Sequence, residues 1–77
     1  MNKIEKNLYK LVQLKNICNH IENVIKYNQN EYKNYSKKSN DINLDENDKQ
    51  INKDKATEYI EKNEILTNLL NKIHKII

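Results

Sequence analysis

Residues 3–35 read KIEKNLYKLVQLKNICNHIENVIKYNQNEYKNY, and the spacing within this stretch decides the fold. Ile4, Asn7, Leu11, Leu14, Cys18, Ile21, Ile25, Asn28, Tyr32 and Tyr35 follow one another in alternating steps of three and four. That is a heptad seam, which returns one class of side chain to the same helix face every two turns. Leu8, Ile17 and Val24 lie beside the seam and widen it. A two-stranded coiled coil needs only the narrow stripe, so the extra width predicts packing against more than one neighbour. Asn7 and Asn28 sit inside the seam. A buried Asn there fixes register and partner number, although a chain this rich in Asn also tolerates it by composition.

After residue 35 the pattern fails. Residues 36–55, SKKSNDINLDENDKQINKDK, are nearly all polar, with Ile42, Leu44 and Ile51 isolated among them. The reading is a first helix over 1–35, a polar linker over 36–50 and a second amphipathic helix over 51–77. Asn43 with Glu46, or Asp45 and Asp48, are the candidate caps of the second helix. One continuous long helix is the alternative, and the acidic, polar break at 40–48 argues against it.

The second helix is clearest from Tyr59 onward. Tyr59, Ile65, Leu66, Leu69, Leu70, Ile73, Ile76 and Ile77 project into an arc of about 140°. Glu58, Glu61 and Glu64 precede Lys72, His74 and Lys75, an order that suits the helix dipole. The simplest arrangement is an antiparallel coiled-coil hairpin, all-α, completed by partner helices. Two apolar stripes this wide cannot bury each other fully. The expected partner interface is Ile4, Leu11, Leu14, Ile21, Ile25, Leu66, Leu69, Leu70 and Ile73, meeting other helical subunits of a hetero-oligomer.

Composition supports the all-α reading. The chain has 77 residues, no Gly and no Pro, and Asn, Lys and Ile supply about half of it. Without Gly, positive-φ turns fall to Asn and Asp alone. The net charge is +3, and the excess lies in the first 35 residues, where six lysines meet three glutamates. All fourteen basic residues are Lys, so no Arg is present to read base edges and sequence-specific nucleic-acid binding is not expected.

Catalytic and metal signatures are missing. Cys18 and His20 are two apart, about 200° around a helix, and cannot share a metal. Cys18 reads as a seam residue, and His20 and His74 as solvated ones. No phosphate loop, nucleophile elbow or calcium loop occurs, so no enzyme activity, metal or cofactor is expected. Tyr27, Tyr32 and Tyr35 beside Lys26 and Lys33 suggest base stacking. Tyr32 and Tyr35 continue the seam, however, and contact with another helix is the preferred reading. The single Cys fits a reducing, intracellular compartment. The opening MNKIEKNLYKL lacks a signal-peptide core, and no stretch is apolar enough to span a membrane. The Ile-rich stretch 73–77 is read as a partner-helix contact and not as a membrane-surface segment.

Two stretches carry a family likeness. KLVQLKNI at 10–17 and ILTNLLNKIHKI at 65–76 resemble the two helical runs of the small subunits of the DASH (Dam-one) kinetochore complex, the second Dad subunit above all. Asn68 matches that family's signature Asn. Leu69 stands where the family carries Trp, and the family's Gly before the second helix is absent. The resemblance implies a helical subunit that helps couple chromosomes to microtubules in cell division, located in the nucleus and on the cytoskeleton. The weakly basic first helix would then face an acidic microtubule lattice. A tubulin-folding cofactor of the A type, and a subunit of an unrelated tethering, trafficking or transcription complex, are the rival readings.

Overall fold

A computed structural model describes residues 2–76. Two helices account for them: α1, Lys3–Ser39, and α2, Glu46–Ile76, folded back on each other as a hairpin. No strand occurs among the described residues. The radius of gyration is 18.4 Å over a body of 63 × 15 × 12 Å. A compact domain of this length would have a radius near 11–12 Å. The molecule is therefore a rod one helix-pair thick.

Both helices start on a side-chain cap. The Glu5 amide donates to Asn2 Oδ1 at 2.8 Å, and the Asp48 amide donates to Asp45 Oδ1, also at 2.8 Å. Each bond satisfies one of the amides that a helix start leaves without a partner. Of the two expected capping arrangements, Asp45 with Asp48 is the one formed. Glu46 and Asp48 occupy the first turn of α2 and His74 and Lys75 its last, so the dipole is complemented at both ends. Glu58, Glu61 and Glu64 lie mid-helix instead, because α2 begins at Glu46, five residues before the expected start at 51.

The joint is residues 40–45, shorter than the polar linker read over 36–50. Residues 36–39 extend α1, and residues 46–50 belong to α2. Polarity misled the reading here. The seam continues through these turns on Ser39, Lys49, Asn52 and Ala56, which are small or use an aliphatic stem, so the helices stay paired without apolar residues. The reversal itself uses no positive-φ residue among those described. The Leu44 amide donates to the Asp41 carbonyl at 3.2 Å, and the Asn43 amide donates to Asp41 Oδ1 at 2.9 Å. An Asx turn thus does what glycine does elsewhere.

The seam of α1 runs from Leu11 through Leu14, Cys18, Ile21, Ile25, Asn28, Tyr32 and Tyr35 to Ser39. It meets Lys49, Asn52, Ala56, Tyr59, Asn63, Leu66, Leu70 and Ile73 of α2, spaced in the same alternating threes and fours. Cys18, Ile21 and Ile73 form the buried centre, with Leu14, Ile25, Leu66 and Leu70 packed around it. Cys18 holds the seam position expected of it. None of the large side chains described is completely enclosed. The core is a single line of contacts.

Candidate partner interface

Asn28 is 4% exposed, and its amide Nδ2 donates to Asn63 Oδ1 at 2.9 Å. Asn63 Nδ2 in turn donates to the Ile25 carbonyl at 3.2 Å. No buried side-chain polar atom among the described residues lacks a partner. A half-turn slip would separate this pair inside the apolar line, so it fixes the alignment of the helices. Asn7, the other seam Asn, is exposed and has no such role.

Nearer the joint the seam is aromatic. Tyr35 and Tyr59 stack with centroids 5.8 Å apart and planes 11° from parallel. Lys38 Nζ and Lys55 Nζ lie 5.1 and 5.3 Å from the Tyr35 ring centre, and Lys62 Nζ lies 5.0 Å from that of Tyr59. Tyr35 therefore contacts the opposite helix of the hairpin, the contact preferred for it from the seam. Partial burial raises the pKa of the Tyr59 hydroxyl above its ordinary value, and Tyr27, Tyr35, Glu31 and Glu58 add to the rise.

The residues expected to meet partners divide into two groups. Leu11, Leu14, Ile21, Ile25, Leu66, Leu70 and Ile73 lie in the hairpin's own seam. Ile4 and Leu69 do not, at 70% and 45% exposed. The apolar arc read on the second helix splits likewise. Tyr59, Leu66, Leu70 and Ile73 face α1, Ile65 and Ile76 are 68% and 73% exposed, and Ile77 lies outside the described residues.

What remains uncovered falls on two flanks. In an antiparallel heptad pair, the positions just before one seam residue on each helix face each other along one side, and those just after the next seam residue face along the other. Ile17, Val24, Glu31 and Lys38 of α1 thus share a flank with Lys55, Lys62, Leu69 and Ile76 of α2. The two lysines that converge on Tyr35, one from each helix, fit this assignment. On the opposite flank, a shallow groove is lined by Gln29, Ile60, Glu64 and Thr67, and another by Lys15, Asn19, Glu22 and His74. The second flank is polar along most of its length, with Ile60 on α2 and Leu8 and Val12 near the start of α1, and the first carries Ile17, Val24, Leu69 and Ile76. Sequence reasoning noticed Ile17 and Val24 beside the seam but not that they share this flank with Leu69. The second helix's heptad had to be in register first, and Lys49, Asn52 and Asn63 concealed it.

No group of three or more His, Cys, Asp or Glu side chains among the described residues is placed to hold a metal ion. No described helix is long and apolar enough to cross a membrane. No family model, curated protein or solved structure matches this chain.

Proposed function

We propose that this chain is a non-catalytic helical subunit of a hetero-oligomeric assembly. The observation that carries this reading is the exposure left after the hairpin has formed. Ile4, Leu8, Val12, Ile17, Ile65 and Ile76 are uncovered along a rod with one line of core contacts. Single exposed apolar residues are ordinary, but this many large ones on a thin rod with so small a core mark surfaces that other chains cover.

The specific assembly we propose is of the DASH kinetochore type, coupling chromosomes to microtubules. Its support is the likeness of residues 10–17 and 65–76 to that complex's small subunits and the lysine excess of the first helix, which suits an acidic polymer surface. Affinity purification of the tagged chain from dividing cells, with mass spectrometry of what accompanies it, tests both levels. Recovery of several short helical proteins with outer-kinetochore components is the expected result. Tubulin alone would point to a folding cofactor. A different stable helical set would remove the kinetochore assignment and keep the subunit, whereas a lone monomer would remove both.

A further inference from the structure

The flank that carries Ile17, Val24, Leu69 and Ile76 is apolar two rows deep on each helix. Those four stand in the rows beside the seam, and Tyr27 on α1 and Ile65 on α2 stand one row further out, about 130° from the seam direction. All six are exposed except the half-buried Val24. They fall at matching heights along the rod, Ile17 beside Ile76, Val24 beside Leu69 and Tyr27 across from Ile65. A single helix seated in the groove would cover the inner rows and leave Tyr27 and Ile65 in solvent. Covering both rows takes a layer of two helices, as in a four-helix bundle, where each helix meets its two neighbours on adjoining faces. Toward the joint the next level sets Glu31 opposite Lys62, one charge of each sign. The one ion pair within 4.0 Å among the described residues is Lys49–Glu46, so these two are not joined within the hairpin. Lys38 and Lys55, a further level on, are drawn over the ring of Tyr35.

We propose that this flank docks on the same flank of a second copy of the chain, about a two-fold axis parallel to the rods, to form a four-helix bundle with both joints at one end. The contact goes beyond the assembly reading and leaves Ile4, Leu8 and Val12 for other chains. Under this symmetry α1 lies against α2 of the second copy, so each residue meets the counterpart of the one it already faces across the flank. Ile17 meets the second copy's Ile76, Val24 its Leu69 and Tyr27 its Ile65. Glu31 meets its Lys62, and the axis makes that match twice. Reversing one rod would keep the apolar rows together, but it would set Lys72 against Leu69 and remove the Glu31–Lys62 match. His20 and Lys72 stand on the outer rows, where their polar tips reach solvent at the edge. Lys38 and Lys55 would meet like charge, and they mark where the contact ends. From Ile17 to Glu31 it runs about 21 Å at 1.5 Å per residue. Across a rod 15 Å wide, it buries on the order of 1,000 Å² in total, at the low end for a specific interface. Association is therefore reversible and concentration-dependent.

Equilibrium sedimentation of the full chain over about a hundredfold range of concentration reads the association. Circular dichroism, at a concentration where the wild-type chain is monomeric, checks that each variant keeps its helices. The wild-type chain should pass from monomer to dimer as concentration rises. Leu69→Asn and Ile65→Asn, both outside the hairpin's own seam, should each hold it monomeric, while Ile60→Asn on the opposite flank should change nothing. Glu31→Lys and Lys62→Glu should each weaken self-association about tenfold. An equimolar mixture of these two variants should associate about as tightly as the wild type, because each then offers the charge the other lacks. Damage within one hairpin would not be cured by mixing. A chain that stays monomeric throughout, a dimer that survives both Leu69→Asn and Ile65→Asn, or a mixture no tighter than its components would overturn the proposal. So would a monomeric chain whose helical partners in cells are lost on Leu69→Asn, since another protein would then own the flank. If the dimer forms as described while no other helical chain co-purifies from cells, the docking flank stands and the hetero-oligomeric reading falls. If helical subunits co-purify with a chain that never dimerises, the reverse holds.

Discussion

The Asn28–Asn63 pair sits where the seam would otherwise be aliphatic, and its contribution is specificity more than stability. Truncating Asn28 leaves the half-buried Asn63 Oδ1 without its donor, while Asn63 Nδ2 keeps only the Ile25 carbonyl. Asn28→Ala should therefore lower stability by about 1–3 kcal/mol, read from thermal or urea unfolding. Replacing both, Asn28→Ile with Asn63→Leu, should raise the melting temperature but allow more than one alignment or oligomeric state. Sedimentation velocity would show that as a broadened or multiple boundary. A single sharp species from the double variant would mean that alignment is set elsewhere. Tyr59 adds a pH effect with a definite sign. Its folded pKa is raised, so the neutral phenol favours the hairpin below the ordinary Tyr pKa of 10.0, and that contribution is lost as pH climbs through the raised value. Tyr59→Phe removes the ionisation. The wild-type chain should lose helicity more steeply than Tyr59→Phe above pH 10.0, and identical alkaline profiles would count against a perturbed Tyr59.

At the scale of elements, α2 depends on a start signal far from its apolar half. Asp45 caps the helix, and the first turns after it hold little apolar surface to stabilise them. Asp45→Ala should cost about 1 kcal/mol and fray α2 toward Ala56. Amide exchange within residues 46–55 should quicken while residues 63–73 are unchanged. The same stretch explains what the sequence yielded and what it withheld. The first helix was legible because Leu11, Leu14, Cys18, Ile21 and Ile25 mark the seam chemically. The second helix was legible only where Leu66, Leu70 and Ile73 do so. Between Lys49 and Asn63 the packing rests on geometry, with a methyl group at Ala56, a lysine stem, two amides and a stacked ring, and hydropathy is blind to all of these. The Asn28–Asn63 bond was half visible for the same reason. Its donor stood in a recognisable seam, while its acceptor stood in one that had to be aligned first.

On the scale of the whole molecule, the balance of surface and core governs behaviour. A helix pair buries one stripe of each helix, and most helical stability in proteins comes from tertiary burial, not from propensity. Here the buried line is Cys18, Ile21, Ala56 and Ile73 with Asn28, and larger side chains such as Ile65 and Ile76 remain in solvent. The hairpin defines which residues meet, but its margin alone is small. Covering the Ile17–Leu69 flank would roughly double the faces each helix buries. Binding of a partner would then raise the apparent stability through mass action. The chain purified alone should melt early, and at a temperature that rises when its partner set is added.

The most direct check on this account is amide hydrogen exchange, measured on the chain alone and again in the complex recovered with it from cells. The account predicts weak protection in isolation, corresponding to opening free energies below about 4 kcal/mol. In the complex, strong protection should extend through α1 and α2 and persist across Ile17–Val24 and Ile65–Ile76. Strong protection of both helices in the isolated monomer, unchanged by any partner, would contradict it, because the hairpin would then be complete by itself.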